Sequence, residues 1–209
     1  MAGNIYLIGG GEIDSGETKI IDDNIKQSVK KGSSFVFFPT AAKDADRYIC
    51  TIESIFGDHF KVIAVTQEKG RAFAEDAIKR ASVIYLGGGT TQLLLDLFNR
   101  WKLVPLLHES NERGTVIMGM SAGAQALCEH YIHEEDNLFE LRDGWGIVPA
   151  CCLVHATEDS FHKSQQLCSE FTHKRSKLIG IGEGASWCID DIKEYAIGEG
   201  SIFLINSNE

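Results

Sequence analysis

The sequence predicts an α/β fold: a three-layer α/β/α sandwich around a mostly parallel sheet, with an antiparallel extension near the C-terminal end. Three observations carry this. Strand-length apolar runs alternate with helix-like segments from Ile5 to His130. The runs are largely apolar on both faces, as in strands covered by helices on each side. After His173 the runs are short and separated by tight turns such as Gly198-Glu199-Gly200, the pattern of an antiparallel edge. The length of 209 residues and the three prolines, without a Ser/Pro-rich linker, fit one α/β domain spanning residues 1–209.

The elements follow in order. Ile5-Tyr6-Leu7-Ile8 ends at Gly9-Gly10-Gly11, and Ser34-Phe35-Val36-Phe37-Phe38 ends at Pro39-Thr40. Lys61 to Val65 is a third run. Ser82 to Leu86 ends at Gly87-Gly88-Gly89, and Thr115 to Met118 ends at Gly119-Met120-Ser121. Between them, Asp44 to Phe56, Ala72 to Ala81 and Gln92 to Trp101 carry apolar residues at helical spacing, the last with Thr90 as a cap. Ala122 to His130 reads as the helix after the fifth strand. Val148 to Val154 reads as a strand and Ser164 to His173 as a helix. Leu178 to Ile181, Ala185 to Ile189, Glu194 to Ile197 and Ile202 to Ile205 read as short strands.

Composition narrows the function. A net charge of -10 repels phosphate backbones, which argues against nucleic-acid binding. Met1-Ala2-Gly3-Asn4 lacks the basic start of a secretory leader, and no run approaches the ~18 apolar residues of a membrane span. A cytoplasmic protein is expected, with no membrane partner. Cys50, Cys128, Cys151, Cys152, Cys168 and Cys188 form no CxxC pair. Free thiols are expected rather than disulfides, and no Cys/His group has zinc spacing.

Gly119-Met120-Ser121-Ala122-Gly123 matches GxSxG. It follows a buried strand and opens onto a helix-prone run, the setting in which a serine stands exposed on a sharp turn. Small neighbours give the turn its space. The first N–H groups of the new helix lack intrahelical partners and can bind a developing oxyanion. The Gly87-Gly88-Gly89 run lacks the lysine of a P-loop, so a second oxyanion donor competes there with a simple tight turn. For Gly9-Gly10-Gly11 the turn reading is preferred.

A serine nucleophile needs a base, and histidine is the usual one near neutral pH. Of the seven histidines, His155 ends a strand-like run, where sites of such sheets are built; His162 is the alternative. Glu183, between Gly182 and Gly184 at another strand end, is the candidate to orient the imidazole. Glu158, Asp159 and Asp143 compete with it. The order Ser121, His155, Glu183 departs from the α/β-hydrolase order, in which histidine comes last.

In this combination the chain resembles the peptidase E (aspartyl dipeptidase) and cyanophycinase family, whose fold is flavodoxin-like and similar to that of class I glutamine amidotransferases. The resemblance runs through Ile5 to Gly11, Phe38-Pro39-Thr40-Ala41-Ala42, Tyr85 to Gly89, Gly119 to Ala124, Gly146-Ile147-Val148-Pro149 and Gly180 to Gly184. It implies Ser121 as nucleophile, His155 as base, Glu183 as acidic partner, and an oxyanion hole from backbone N–H groups of Gly88 and Ala122. It implies no metal and no organic cofactor. It places substrate contacts at Gly89 and Thr90, where Thr90 replaces the family's usual Asn or Asp. Lys163 is the one Lys or Arg between His155 and His173, where peptidase E carries an arginine. The expected function is a serine peptidase that cleaves small, dipeptide-like substrates through an acyl-enzyme. The alternatives are hydrolysis of another amide or isopeptide metabolite, or a non-catalytic binding protein of the same fold. The expected partners are a small peptide or amide and, as an assembly, a homodimer.

Overall fold

In the computed structural model, which describes residues 2–136, 138–171 and 177–205, five apolar runs pair as parallel strands: β1 (Ile5–Ile8), β2 (Ser34–Phe38), β3 (Lys61–Ala64), β4 (Val83–Leu86) and β5 (Val116–Met120). Their order across the sheet is β1-β5-β4-β2-β3. Both faces of β1, β2, β4 and β5 are buried, which is why they read as continuous apolar runs, whereas β3 at the sheet edge is only partly covered. Tyr6, Phe35, Phe37 and Tyr85 face a core built with Ile21 and Ile25 of α1 (Lys19–Ser28) and Ile52 and Phe56 of α2 (Asp46–Phe56). Leu7, Val36, Phe38 and Ile84 face the other core. It is built with α3 (Gly70–Arg80), α4 (Thr91–Trp101), α5 (Val104–Glu112) and α6 (Ala122–Leu127). The result is an α/β/α sandwich.

The chain after α6 extends the architecture in two directions. β10 (Ala185–Ile189) adds antiparallel to β1, and β11 (Glu194–Gly198) adds antiparallel to β10. A second, five-stranded sheet runs β12 (Ile202–Ile205), β9 (Lys177–Ile181), β8 (Val148–Val154), β6 (Cys128–Glu135), β7 (Leu138–Asp143). In it β8 is parallel to both β6 and β9, and only the outer strands are antiparallel. The antiparallel extension is therefore present, but its strands are divided between two sheets. α7 (Glu158–Phe171) covers the second sheet, with Phe161 stacked on Phe203 at 5.2 Å.

Three local expectations change. The helix from Ala122 stops at Leu127 instead of His130, because Cys128 to Glu135 pairs with β7 and β8 and buries Tyr131 and Ile132; tertiary pairing overrides local propensity there. α5 was not anticipated and begins with proline in its first turn. α7 starts six residues before Ser164, at Glu158, and the expected end at His173 lies outside the described residues. Cys50 is exposed, and Cys128, Cys151, Cys152 and Cys188 are buried; Cys50, Cys128, Cys152 and Cys188 are free thiols, and the Cys168 side chain lies outside the described residues. No described helix is long and apolar enough to cross a membrane.

One buried charge stands out. Asp22 on α1 is 6% exposed and accepts a hydrogen bond from Thr18 Oγ1 at 2.9 Å. Burial pushes its carboxyl pKa up to about 6 from 3.8. The folded state then holds a proton that the unfolded chain releases, so this group's stabilisation is complete below the unfolded value and fades as pH rises through about 6. Asp22→Asn keeps an acceptor for Thr18 without the charge. It should raise stability at pH above 7 by roughly 1–3 kcal/mol, with the gain vanishing near pH 4. Melting midpoints of both proteins across that range check the sign.

Candidate active site

β5 delivers Ser121 on a sharp bend into α6. Its backbone is held at φ 47° and ψ −104°, a sparsely populated conformation that persists only when surroundings enforce it. They do so closely. Ser121 N–H donates to Ile8 O at 2.8 Å, and Gln125 N–H donates to Ser121 O at 3.0 Å. A Cβ on Gly119 would lie 2.4 Å from the Gly123 carbonyl carbon, and one on Gly123 would lie 2.1 Å from Leu86 O. The glycines flanking the serine are thus required by the close packing of helix on strand.

His155 and Glu183 arrive from the second sheet. β8 and β9 run parallel with Val154 opposite Ile181, so residues just past their C-terminal ends fall side by side. His155, itself at φ 53°, is tied to the first sheet by its N–H to Gly9 O at 3.1 Å, and Gly184 N–H donates to Gly10 O at 3.1 Å. The ring then bridges the two partners. His155 Nε2 lies 2.8 Å from Ser121 Oγ, and Nδ1 lies 2.5 Å from Glu183 Oε1. A carboxylate only accepts, so Nδ1 carries the proton and donates to Glu183. This leaves the Nε2 lone pair to accept the serine hydroxyl, the arrangement in which an imidazole can deprotonate a nucleophile.

None of the competing candidates lines the cleft around Ser121. His162 is exposed on α7. Asp159 pairs with Lys163 at 2.6 Å, and Asp143 bonds His130 Nδ1 at 2.9 Å; Glu158 sits exposed in the first turn of α7. Lys163 does not line the cleft around Ser121, a correction to its expected substrate role. Its position one helical turn after Asp159 directs the ammonium along the exposed helix face. Gly89 and Thr90 do line that cleft. Ala122 N–H opens α6, where first-turn amides lack helical acceptors. Gly88 differs from expectation: its N–H is engaged, donating to Tyr48 Oη at 3.2 Å.

One contributor escapes a sequence reading that treats Gly9-Gly10-Gly11 as a turn. A Cβ on Gly10 would lie 2.3 Å from Glu183 Oε2 and 2.5 Å from His155 Nδ1 and Cε1. The backbone of Gly10 is the wall against which the His–Glu pair rests. The available signal was positional, since a glycine run at the end of the strand beside β5 faces the same crevice.

Ser121, Gly89 and His155 line two adjoining hollows of about 820 Å³ and about 580 Å³, a size suited to small ligands. The larger is walled by the β6–β7 hairpin, with His133, Glu134, Glu135 and Asp136 on one side and Arg142 on the other. Arg142 is paired with Glu140 at 2.7 Å. Among the described residues no cluster of His, Cys, Asp or Glu could hold a metal ion.

The model of peptidase family S51 matches residues 5–194. The uncharacterized peptidase YgaJ of Bacillus subtilis (strain 168) is 30% identical over 128 residues, covering 57% of this chain and 54% of that one. Peptidase E of Haemophilus influenzae is 31% identical over 97 residues, covering 45% and 43% respectively. The chain thus spans about half the length of these relatives. Two solved structures share the fold. A peptidase from an acI-B1 Actinobacterium superposes with a TM-score of 0.71 at 21% identity, over 100% of this chain and 96% of the other. A candidate peptidase E from Listeria monocytogenes EGD-e does so with a TM-score of 0.69 at 17% identity, over 95% and 100%.

Gly10→Ala is the sharpest probe of the site that leaves its three polar side chains in place. The added methyl must displace His155 or Glu183. The rate at which a fluorophosphonate labels Ser121 should fall by roughly 100-fold or more, as when a group is misplaced by an ångström, at temperatures where both proteins are fully folded; the melting midpoint should also fall, because Gly10 sits at φ 154°. Intact-mass time courses and thermal melts of both proteins measure the two effects.

Proposed function

This chain belongs to peptidase family S51, and on that footing we propose that it is a serine-type peptidase acting on small peptides, with Ser121, His155 and Glu183 as its catalytic residues. The observation that carries the reading is the unbroken hydrogen-bonded chain from Ser121 Oγ through His155 to Glu183, at 2.8 and 2.5 Å. Ser121 Oγ attacks the scissile carbonyl carbon, forming a C–O bond while its proton passes to His155 Nε2. The oxyanion is held by backbone N–H groups, Ala122 among them. When the tetrahedral intermediate collapses, the C–N bond breaks and His155 returns the proton to the leaving amine. Water then attacks the acyl-enzyme by the same route, and Glu183 stabilises the imidazolium throughout.

The size of the cleft favours a peptide of a few residues, bound across Ser121 with Gly89 and Thr90 at its floor. The same chemistry serves an isopeptide or another small amide, so a panel of dipeptides against amide metabolites distinguishes the substrates. Ser121→Ala should abolish both fluorophosphonate labelling and peptide turnover. Glu183→Gln should lower turnover by ~100- to 10,000-fold, since an amide there favours the wrong imidazole tautomer. Labelling of Ser121→Ala at the parental rate would overturn the assignment, and ligand binding without turnover in the parent would point to a binding protein.

A further inference from the structure

Four consecutive amides cross the end of β4, and their acceptors separate them. Gly87 N–H donates to Phe38 O at 3.1 Å, Gly88 N–H to Tyr48 Oη at 3.2 Å, and Thr90 N–H to Ala41 O at 2.8 Å. Gly89 N–H has no acceptor among the described residues, although Gly89 lines both hollows that contain Ser121 and His155. Gly89 is exposed, so this donor faces the cleft that holds Ser121 and can meet an acceptor on a ligand there. Its neighbours are pinned on either side.

The pin at Gly88 is a side chain, and it is built in. Tyr48 projects from α2 with its ring edge-on to Phe37 at 5.0 Å. A Cβ on Gly87 would lie 2.9 Å from Tyr48 Cε1, so the ring fills the space that this glycine leaves open. The Tyr48 hydroxyl also meets Tyr85 Oη at 3.3 Å, and Tyr85 donates to Met120 Sδ at 3.1 Å. Met120 precedes Ser121. The two phenols therefore link the helix, the glycine loop and the strand end that carries the serine. Burial raises the pKa of both phenols, so each hydroxyl stays neutral and keeps its proton at ordinary pH.

We propose that Tyr48 is a positioning residue of the oxyanion hole: by accepting the Gly88 N–H it turns the loop so that Gly89 N–H, not Gly88 N–H, is the glycine-loop donor to the acyl oxygen. Position 89 requires glycine, since it sits at φ 132° with Ala41 O 2.3 Å from where a Cβ would stand, and its N–H has no acceptor among the described residues to compete with a ligand oxygen. Gly88 is the wrong donor because freeing its amide would break the hydrogen bond to Tyr48.

The inference rests on Ser121 being the nucleophile, and the test separates the two. Protein labelled with 15N-glycine is compared by NMR before and after reaction with diisopropyl fluorophosphate, which places a phosphoryl oxygen where the oxyanion would form. The Gly89 amide proton should move downfield and become protected from exchange, with the Gly88 signal unmoved. In Tyr48→Phe, which keeps the ring but loses the acceptor, the maximal rate of labelling should fall about 10-fold. That is less than the ~100-fold expected when a donor itself is removed. The half-saturating reagent concentration should not change. A shift at Gly88 instead of Gly89, or a parental labelling rate in a folded Tyr48→Phe protein, would overturn the role of Tyr48 and leave the nucleophile standing. Failure of the parent to react at Ser121 would overturn both.

Discussion

The imidazole of His155 is the joint between the two sheets, because its two hydrogen bonds reach partners supplied by each of them. Ser121 belongs to the end of β5, and Glu183 follows β9. The pair His155–Glu183 is half exposed, and exposed ion pairs contribute little to holding a fold together. What fixes the joint is backbone. His155 N–H on Gly9 O, Gly184 N–H on Gly10 O and Ser121 N–H on Ile8 O all converge on the residues at and just past the end of β1. Two of the converging residues, Ser121 and His155, are non-glycine residues at positive φ. Such strain costs on the order of 1–3 kcal/mol each and is held in place by these bonds and by the tight packing of Gly119 and Gly123.

Much of the frame was legible because buried parallel strands leave short unbroken apolar runs, and here these alternate with helix-like segments and mostly end at glycine or proline. Ser121, His155 and Glu183 could be singled out by their places at strand ends, and the fold brings those three within hydrogen-bonding distance. Other features were not legible. Cys128 to Glu135 is charged at Glu129, Glu134 and Glu135 and lacks strict alternation, so its pairing with β7 and β8 is dictated by the second sheet alone. Gly10 looks like any turn glycine until the His–Glu pair is seen against it. Tyr48 carries helical spacing consistent with core packing, and nothing in one dimension reveals the amide at its hydroxyl. Lys163 illustrates the opposite error: a cation at the right place in the sequence points along an exposed helix face.

The site joins two kinds of constraint. The hydroxyl of Ser121, the imidazole of His155 and the carboxylate of Glu183 are side chains set by strand ends, whereas the amides that face the cleft are set by glycine loops. The second kind depends on loop placement, which the packing of α2 on the β4 loop sets through the hydrogen bond from Gly88 N–H to Tyr48 Oη. The neighbouring hairpin of β6 and β7 bounds the cleft with acidic residues and one paired arginine, so that hairpin gives the cleft most of its charge.

The central claim is that His155 directs its Nδ1 proton at Glu183 and its Nε2 lone pair at Ser121. Nitrogen NMR of histidine-labelled protein at neutral pH reads this directly. A protonated Nδ1 with a strongly downfield proton, together with an unprotonated Nε2, is the predicted result. A ring protonated at Nε2 with a bare Nδ1 would contradict the account, since it could not take a proton from the serine.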